Sequence, residues 1–186
     1  MDIEPYLSSL EILSGDFRRL TEFVEPVDAN LSTYSYRLYE LLLRACTDFE
    51  SVCKEKLVAD EYAKQPSDMN INDYKTLETS LKLEQVEVGI LIWRPSVVYI
   101  RPFISWSTSS PPLSWYRDYN QVKHNRNSRF SLANLANVRL AIAGLFALLA
   151  RLGIIPVKAG HQERHINSLK EDVYVGQIFS VRYPEP

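Results

Sequence analysis

A chain of 186 residues that is 46% hydrophobic and 24% charged can bury one core without disulfides or metals. It is too apolar for a disordered chain and too polar for a membrane protein. Its formal net charge of −2 gives no overall attraction to nucleic acid, so an RNA-binding role must rest on a local basic patch.

The opening Met1-Asp2-Ile3-Glu4-Pro5 is acidic and lacks the apolar stretch of a signal peptide. Pro5 suits a first helical turn, and Tyr6, Leu7, Leu10, Leu13, Phe17, Leu20 and Val24 recur at helical spacing, predicting a helix over 6–24. Asn30 is a natural cap for the next helix, 31–63, whose stripe of Leu38, Leu41, Leu42, Ala45, Phe49, Val52, Lys56 and Ala59 is apolar apart from Lys56. Cys46 and Cys53 lie on it, seven residues apart. That spacing is about 10.5 Å of helical rise, too far for a disulfide between them. They read as buried, reduced thiols, which suits a cytoplasmic protein.

Gln65-Pro66-Ser67-Asp68 breaks the pattern before a short helix at 71–81. Alternation then replaces helical spacing: Val86, Val88, Ile90 and Ile92, a turn at Arg94-Pro95-Ser96, and a β-branched, aromatic run from Val97 to Ile104. This predicts an inserted β-hairpin at about residues 85–104 as the only clear sheet, Pro102 confining its second strand to an edge or ending it. After a loop holding Pro111-Pro112, Ser114 caps a helix at 115–126, and a long apolar helix follows at 131–152, stopped by Gly153 and Pro156. Its apolar run, Leu140 to Ala150, is far shorter than the roughly 20 residues that span a bilayer. Being apolar on nearly every side, it suggests burial against a second copy of the chain. Residues 157–186 read as a polar C-terminal extension with one short strand near 177–182. One domain accounts for the whole chain.

Chemistry concentrates in W-Y-R-D-Y-N-Q-V-K-H-N-R, residues 115–126. Residues seven apart on a helix differ by only about 20° in facing, so Arg117 and His124 share a face, with Asn120 and Gln121 between them. Lys123, Arg126 and Arg129 add positive charge. An arginine, a polar residue directly after it, and a histidine a few positions beyond resemble the signature of HEPN domains. Arg117, Asp118 and His124 match it, with six residues between Arg117 and His124. The surrounding W-Y-x-x-Y-N-x-V-K-H-x-R and the earlier L-L-L-R-A-C-T-D-F-E-S-V-C-K look like an uncharacterised bacterial branch of that group. The resemblance covers the helical parts; the hairpin and the tail lie outside it.

The resemblance implies a mainly α, HEPN-like helical bundle that pairs as a homodimer, and a metal-independent endoribonuclease that needs no cofactor. Such proteins act as toxins or defence effectors, with an antitoxin or another protein as partner and RNA as substrate. Arg117 and His124 would be catalytic. Asp118, Asn120, Lys123 and Asp48 would support them, Asp48 or Glu50 by pairing with Arg117, while Arg126 and Arg129 would touch RNA. A histidine titrates near neutral pH and moves protons. An arginine stays charged and grips two phosphate oxygens.

Three other readings accompany this one. A non-catalytic HEPN-like dimerisation or RNA- or nucleotide-binding module would show the same motif. So would a helical structural protein in which Arg117 makes an ion pair and His124 packs near a helix end. His161 and His165 have the His-x3-His spacing of two metal ligands, but the adjacent Gly160 argues for a loop and no metal site is expected. Trp93, Trp106, Trp115 and the tyrosines are expected in core and interface packing. Six glycines spread singly give no phosphate-binding loop.

Overall fold

The computed structural model describes residues 4–107, 113–155, 164–166, 169–174 and 178–184. The helices are α1 (Glu4–Leu20), α2 (Tyr36–Ala59), α3 (Ile71–Tyr74), α4 (Glu78–Leu81), α5 (Ser114–His124), α6 (Arg126–Arg129) and α7 (Leu135–Arg151). The strands are β1 (Glu87–Ile90), β2 (Val98–Ile100), β3 (Arg164–Ile166), β4 (Leu169–Tyr174) and β5 (Phe179–Pro184). The chain is mainly helical with one small antiparallel sheet.

Helix α7 is the axis of the fold, and α1, α2, α5 and strands β1 and β5 all pack on it. Ala141, Ile142, Ala143, Phe146, Ala147, Leu148 and Leu149 are fully buried within this one chain. The all-round apolarity of α7 is therefore satisfied by its own protomer and gives no reason for a second copy. Asn134 caps α7 by accepting the Asn137 backbone N–H at 3.0 Å, and Gly153, at φ 69°, turns the chain out of it.

Helix α2 begins five residues later than Asn30 suggests, because the intervening backbone is used elsewhere. The Leu135 and Ala136 N–H groups donate to the Thr33 and Leu31 carbonyls at 2.9 and 3.0 Å, and Tyr34 bridges to Asn134. Ser35 becomes the cap, accepting from the Leu38 N–H at 3.2 Å. The far end stops at Ala59, where Glu61 enters the left-handed region at φ 56° and the Tyr62 N–H donates back to the Leu57 carbonyl at 2.9 Å. Cys46 and Cys53 are free and buried in the α2 core, and burial pushes both thiols well above their ordinary range.

The hairpin of β1 and β2 is present, in the register Val88↔Ile100 and Ile90↔Val98. It is not the whole of the sheet. The strand order is β2-β1-β5-β4-β3, and the C-terminal strand β5 pairs with β1 in the register Val88↔Val181 and Ile90↔Phe179. Strand β5 is thus a sheet partner of the hairpin. Phe179 carries the connection inward, its ring 6.1 Å from Phe17 of α1 and 5.6 Å from Phe146 of α7. On the opposite face Gly89 leaves room for its cross-strand neighbours, since a Cβ there would sit 2.3 Å from the Ser180 hydroxyl and 2.7 Å from the Tyr99 ring. No helix among the described residues is long and apolar enough to cross a membrane.

Candidate functional site

Helix α5 is held from one side. Trp115, Tyr116, Tyr119 and Val122 are buried. The Trp115 indole N–H donates to the Pro102 carbonyl at 3.0 Å, and its ring lies so close to α7 that a Cβ on Gly144 would come within 3.0 Å of it. The Tyr116 hydroxyl donates to Glu50 of α2 at 2.8 Å. Burial, and then the Glu50 carboxylate beside it, push this phenol far above its usual range. With that face fixed, Arg117, Lys123 and His124 are left exposed, and Asp118, Asn120 and Gln121 half-buried.

At the N-terminal end a relay orients the arginine. The Arg117 Nε and Nη2 meet Asp118 Oδ1 at 3.1 and 3.0 Å, while the guanidinium keeps 55% of its side chain in solvent. Asp118 Oδ2 accepts from the Asn137 side chain at 3.1 Å, and the same Asn137 amide donates to the Leu132 carbonyl at 2.8 Å. Asn137, only 6% exposed, sits in the first turn of α7. The motif on α5 is therefore held through a buried amide on another helix. The signal in the sequence is an asparagine near the start of a mostly apolar helix, a residue that must find partners wherever it is buried.

At the C-terminal end the arrangement is open. His124 is the last residue of α5, and its ring has no hydrogen-bond partner among the described residues. Asn125, at φ −134° and ψ 47°, interrupts the helix before α6. A hollow open to solvent forms there, lined by Lys123 to Ser128. Arg117 and His124 do share the exposed side of one helix, separated along it by about 10.5 Å of rise.

The other expected site residues divide. Asn120 donates to the Tyr116 carbonyl of its own helix at 3.1 Å. The Lys123 ammonium donates to the Tyr119 hydroxyl at 3.0 Å and lies 5.1 Å from the Tyr119 ring centre. That hydroxyl raises the lysine pKa, so Lys123 is a fixed cation. Arg126 sits over the Tyr39 ring at 5.9 Å, and Arg129 is exposed. Asp48 is not part of this group. It faces α1, accepts the Ser9 hydroxyl at 2.5 Å, and is raised from its ordinary pKa chiefly by burial. Residues 48 and 50 differ by about 200° in facing on a helix, and Glu50, which does point toward α5, is taken by Tyr116. Arg117 pairs with its neighbour Asp118 instead of with either acid of α2. His161 lies outside the described residues, as does the side chain of His165.

The three tryptophans are buried, as expected of core residues. The tyrosines are not all so. Tyr34 and Tyr36 are 52% and 66% exposed and gather around Phe130, beside Arg126. No family model, curated protein or solved structure matches this chain.

Proposed function

We propose that this chain is a metal-independent endoribonuclease of the HEPN type, working as a homodimer in which Arg117 and His124 of two protomers form a composite site. The observation that carries the reading is the solvent-facing stripe of α5. It presents Arg117 braced by Asp118 and Asn137, and two turns on it presents the unencumbered ring of His124. In this reading His124 takes the proton from an RNA 2′-hydroxyl. The 2′-oxygen bonds to phosphorus, the bond to the 5′-oxygen breaks, and that oxygen leaves with a proton drawn from solvent, to which His124 later returns its own. Arg117 balances the charge gathering on the phosphate oxygens. Both jobs are done by side chains, so the products are a 2′,3′-cyclic phosphate and a 5′-hydroxyl, formed equally in EDTA. The fitting setting is a bacterial cytoplasmic toxin or defence effector restrained by an antitoxin or similar protein partner.

The test is cleavage of total RNA with chelator present. His124→Ala is expected to lose about 10²- to 10⁴-fold in rate. Arg117→Ala should lose a comparable factor, and Arg117→Lys should recover part of it, because an ammonium lacks the planar two-point grip. Circular dichroism should be unchanged in all three. A His124→Ala variant that cleaves as fast as wild type rejects the site.

One observation favours a second reading, a non-catalytic RNA- or nucleotide-binding module. Among the described residues no hydrogen bond orients the His124 ring, whereas Arg117 is braced by Asp118. RNA binding that depends on Arg117, without cleavage by wild type, is the outcome that selects it.

A further inference from the structure

We infer that the surface formed by Tyr34, Tyr36, Tyr39, Phe130 and Arg126 is a stacking platform for the unpaired bases of a single-stranded nucleic acid. It rests on the RNA-directed reading of the α5 face and adds the part of the substrate that is gripped.

The platform is built from three elements locked together by backbone. Phe130 lies in the short turn after α6, with Tyr34, Tyr36 and Tyr39 around it at ring-centre distances of 5.8, 4.8 and 6.0 Å. Tyr34 is pinned by its bridge to Asn134, and Tyr36 is the first residue of α2, directly after the Ser35 cap. Aromatic rings on a fixed backbone lose little freedom on binding. Their faces accept any base, which makes stacking tolerant of sequence.

The charge around the rings selects the occupant. Between Asp118 and Glu163 the sequence contains no acidic residue, and Lys123, Arg126 and Arg129 all fall in that interval. None of the three has a carboxylate partner among the described residues. The acid one turn beyond Tyr36, Glu40, is engaged by Arg37 at 2.9 Å. Arg126 joins the two features, since it lies over Tyr39 and also lines the hollow beside His124. Exposed rings bordered by unpaired cations fit bases joined by phosphates.

The test is binding of a labelled 12-nucleotide 2′-O-methyl single strand, which cannot be cut by attack of its own 2′-hydroxyl, and of the same strand in a duplex. Wild type should prefer the single strand. A Tyr34→Ala, Tyr36→Ala double variant should bind it roughly 5- to 150-fold more weakly, the range for losing one stacked base. Tyr34→Phe with Tyr36→Phe should bind like wild type, because the ring and not the hydroxyl is used. Arg126→Gln should flatten the slope of log affinity against log salt by about 0.7, the value for one phosphate contact on a single strand. The platform is rejected by equal affinity for the duplex, by no binding from wild type, or by unchanged affinity in a folded double-alanine variant. If that variant instead turns a dimer into a monomer and keeps its affinity, the face is an interface between copies and the proposal fails. Because the probe resists cleavage, ring-dependent binding without turnover of natural RNA would overturn the nuclease reading and leave the platform standing. Cleavage by a double-alanine variant with wild-type efficiency would do the reverse.

Discussion

Two aromatic clusters in this protein have similar internal geometry and opposite surroundings. Phe49 is the hub of one, with Trp115, Phe103, Tyr74 and Tyr116 at ring-centre distances of 5.3, 5.9, 6.1 and 6.1 Å, all of them buried. Phe130 is the hub of the other, with three tyrosines around it and two of those more than half in solvent. The first cluster fixes α2, α5 and the segment after β2 to one another. The second lies at the rim where α2, α6 and the start of α7 meet. Ring–ring distance alone therefore does not say what a cluster is for; the water around it does.

Removing a hub is the sharpest way to separate the two. Phe49→Ala deletes a fully buried ring and leaves a cavity among four others, so it should cost about 3 to 5 kcal/mol in chemical denaturation. A loss under about 1 kcal/mol would mean that the inner cluster is not the tie between α2 and α5.

An intermediate effect is expected where the packed side of α5 meets its exposed side. Asn137→Ala would leave Asp118 Oδ2 and the Leu132 carbonyl without their shared donor. Losing one such partner costs roughly 1 to 3 kcal/mol. It also frees the carboxylate that holds Arg117. Thermal melting should show the destabilisation, and the Arg117-dependent step should slow while helical content is kept. A variant as stable as wild type would show that the amide braces nothing.

Helix positions were legible because each long helix carries an apolar stripe, and the stripe of α2, broken only by Lys56, and the apolar run of α7 leave few alternatives. The starts were harder to read. Residues 31–35 have helical spacing, but Leu31 and Thr33 spend their carbonyls on the first turn of α7, a long-range choice that no local pattern encodes. The sheet was half legible for the same reason. Val88 and Ile90 alternate visibly, but their partner strand lies some ninety residues away at Phe179 and Val181. In the site, sequence spacing put Arg117 and His124 on one face. It could not reveal that Asn137 on another helix holds Asp118, or that Asp48 turns toward α1. Nor does periodicity sort the tyrosines, since Tyr36 and Tyr39 stand one turn apart on α2 and differ mainly in what covers them.

The smallest expected effect belongs to the outer cluster, and it is the one that makes the comparison meaningful. Tyr36→Ala removes a ring that is 66% exposed. It forfeits the contact with Phe130, and an aromatic pair is worth about 0.5 to 1.5 kcal/mol when well packed. With most of this ring in water, only a fraction of that applies. Position 36 opens α2, and alanine is the better helix former there by a few tenths of a kcal/mol. The two changes oppose each other, so stability should move by no more than about 0.5 kcal/mol. For a domain of this size that is a melting shift of roughly 2 °C or less. A loss of 2 kcal/mol or more would put Tyr36 with the inner cluster, as a packing residue whose exposure carries no message about ligands. A melting point held within that small window, together with weakened single-strand binding, would mean that the ring is kept at the surface for something outside the fold.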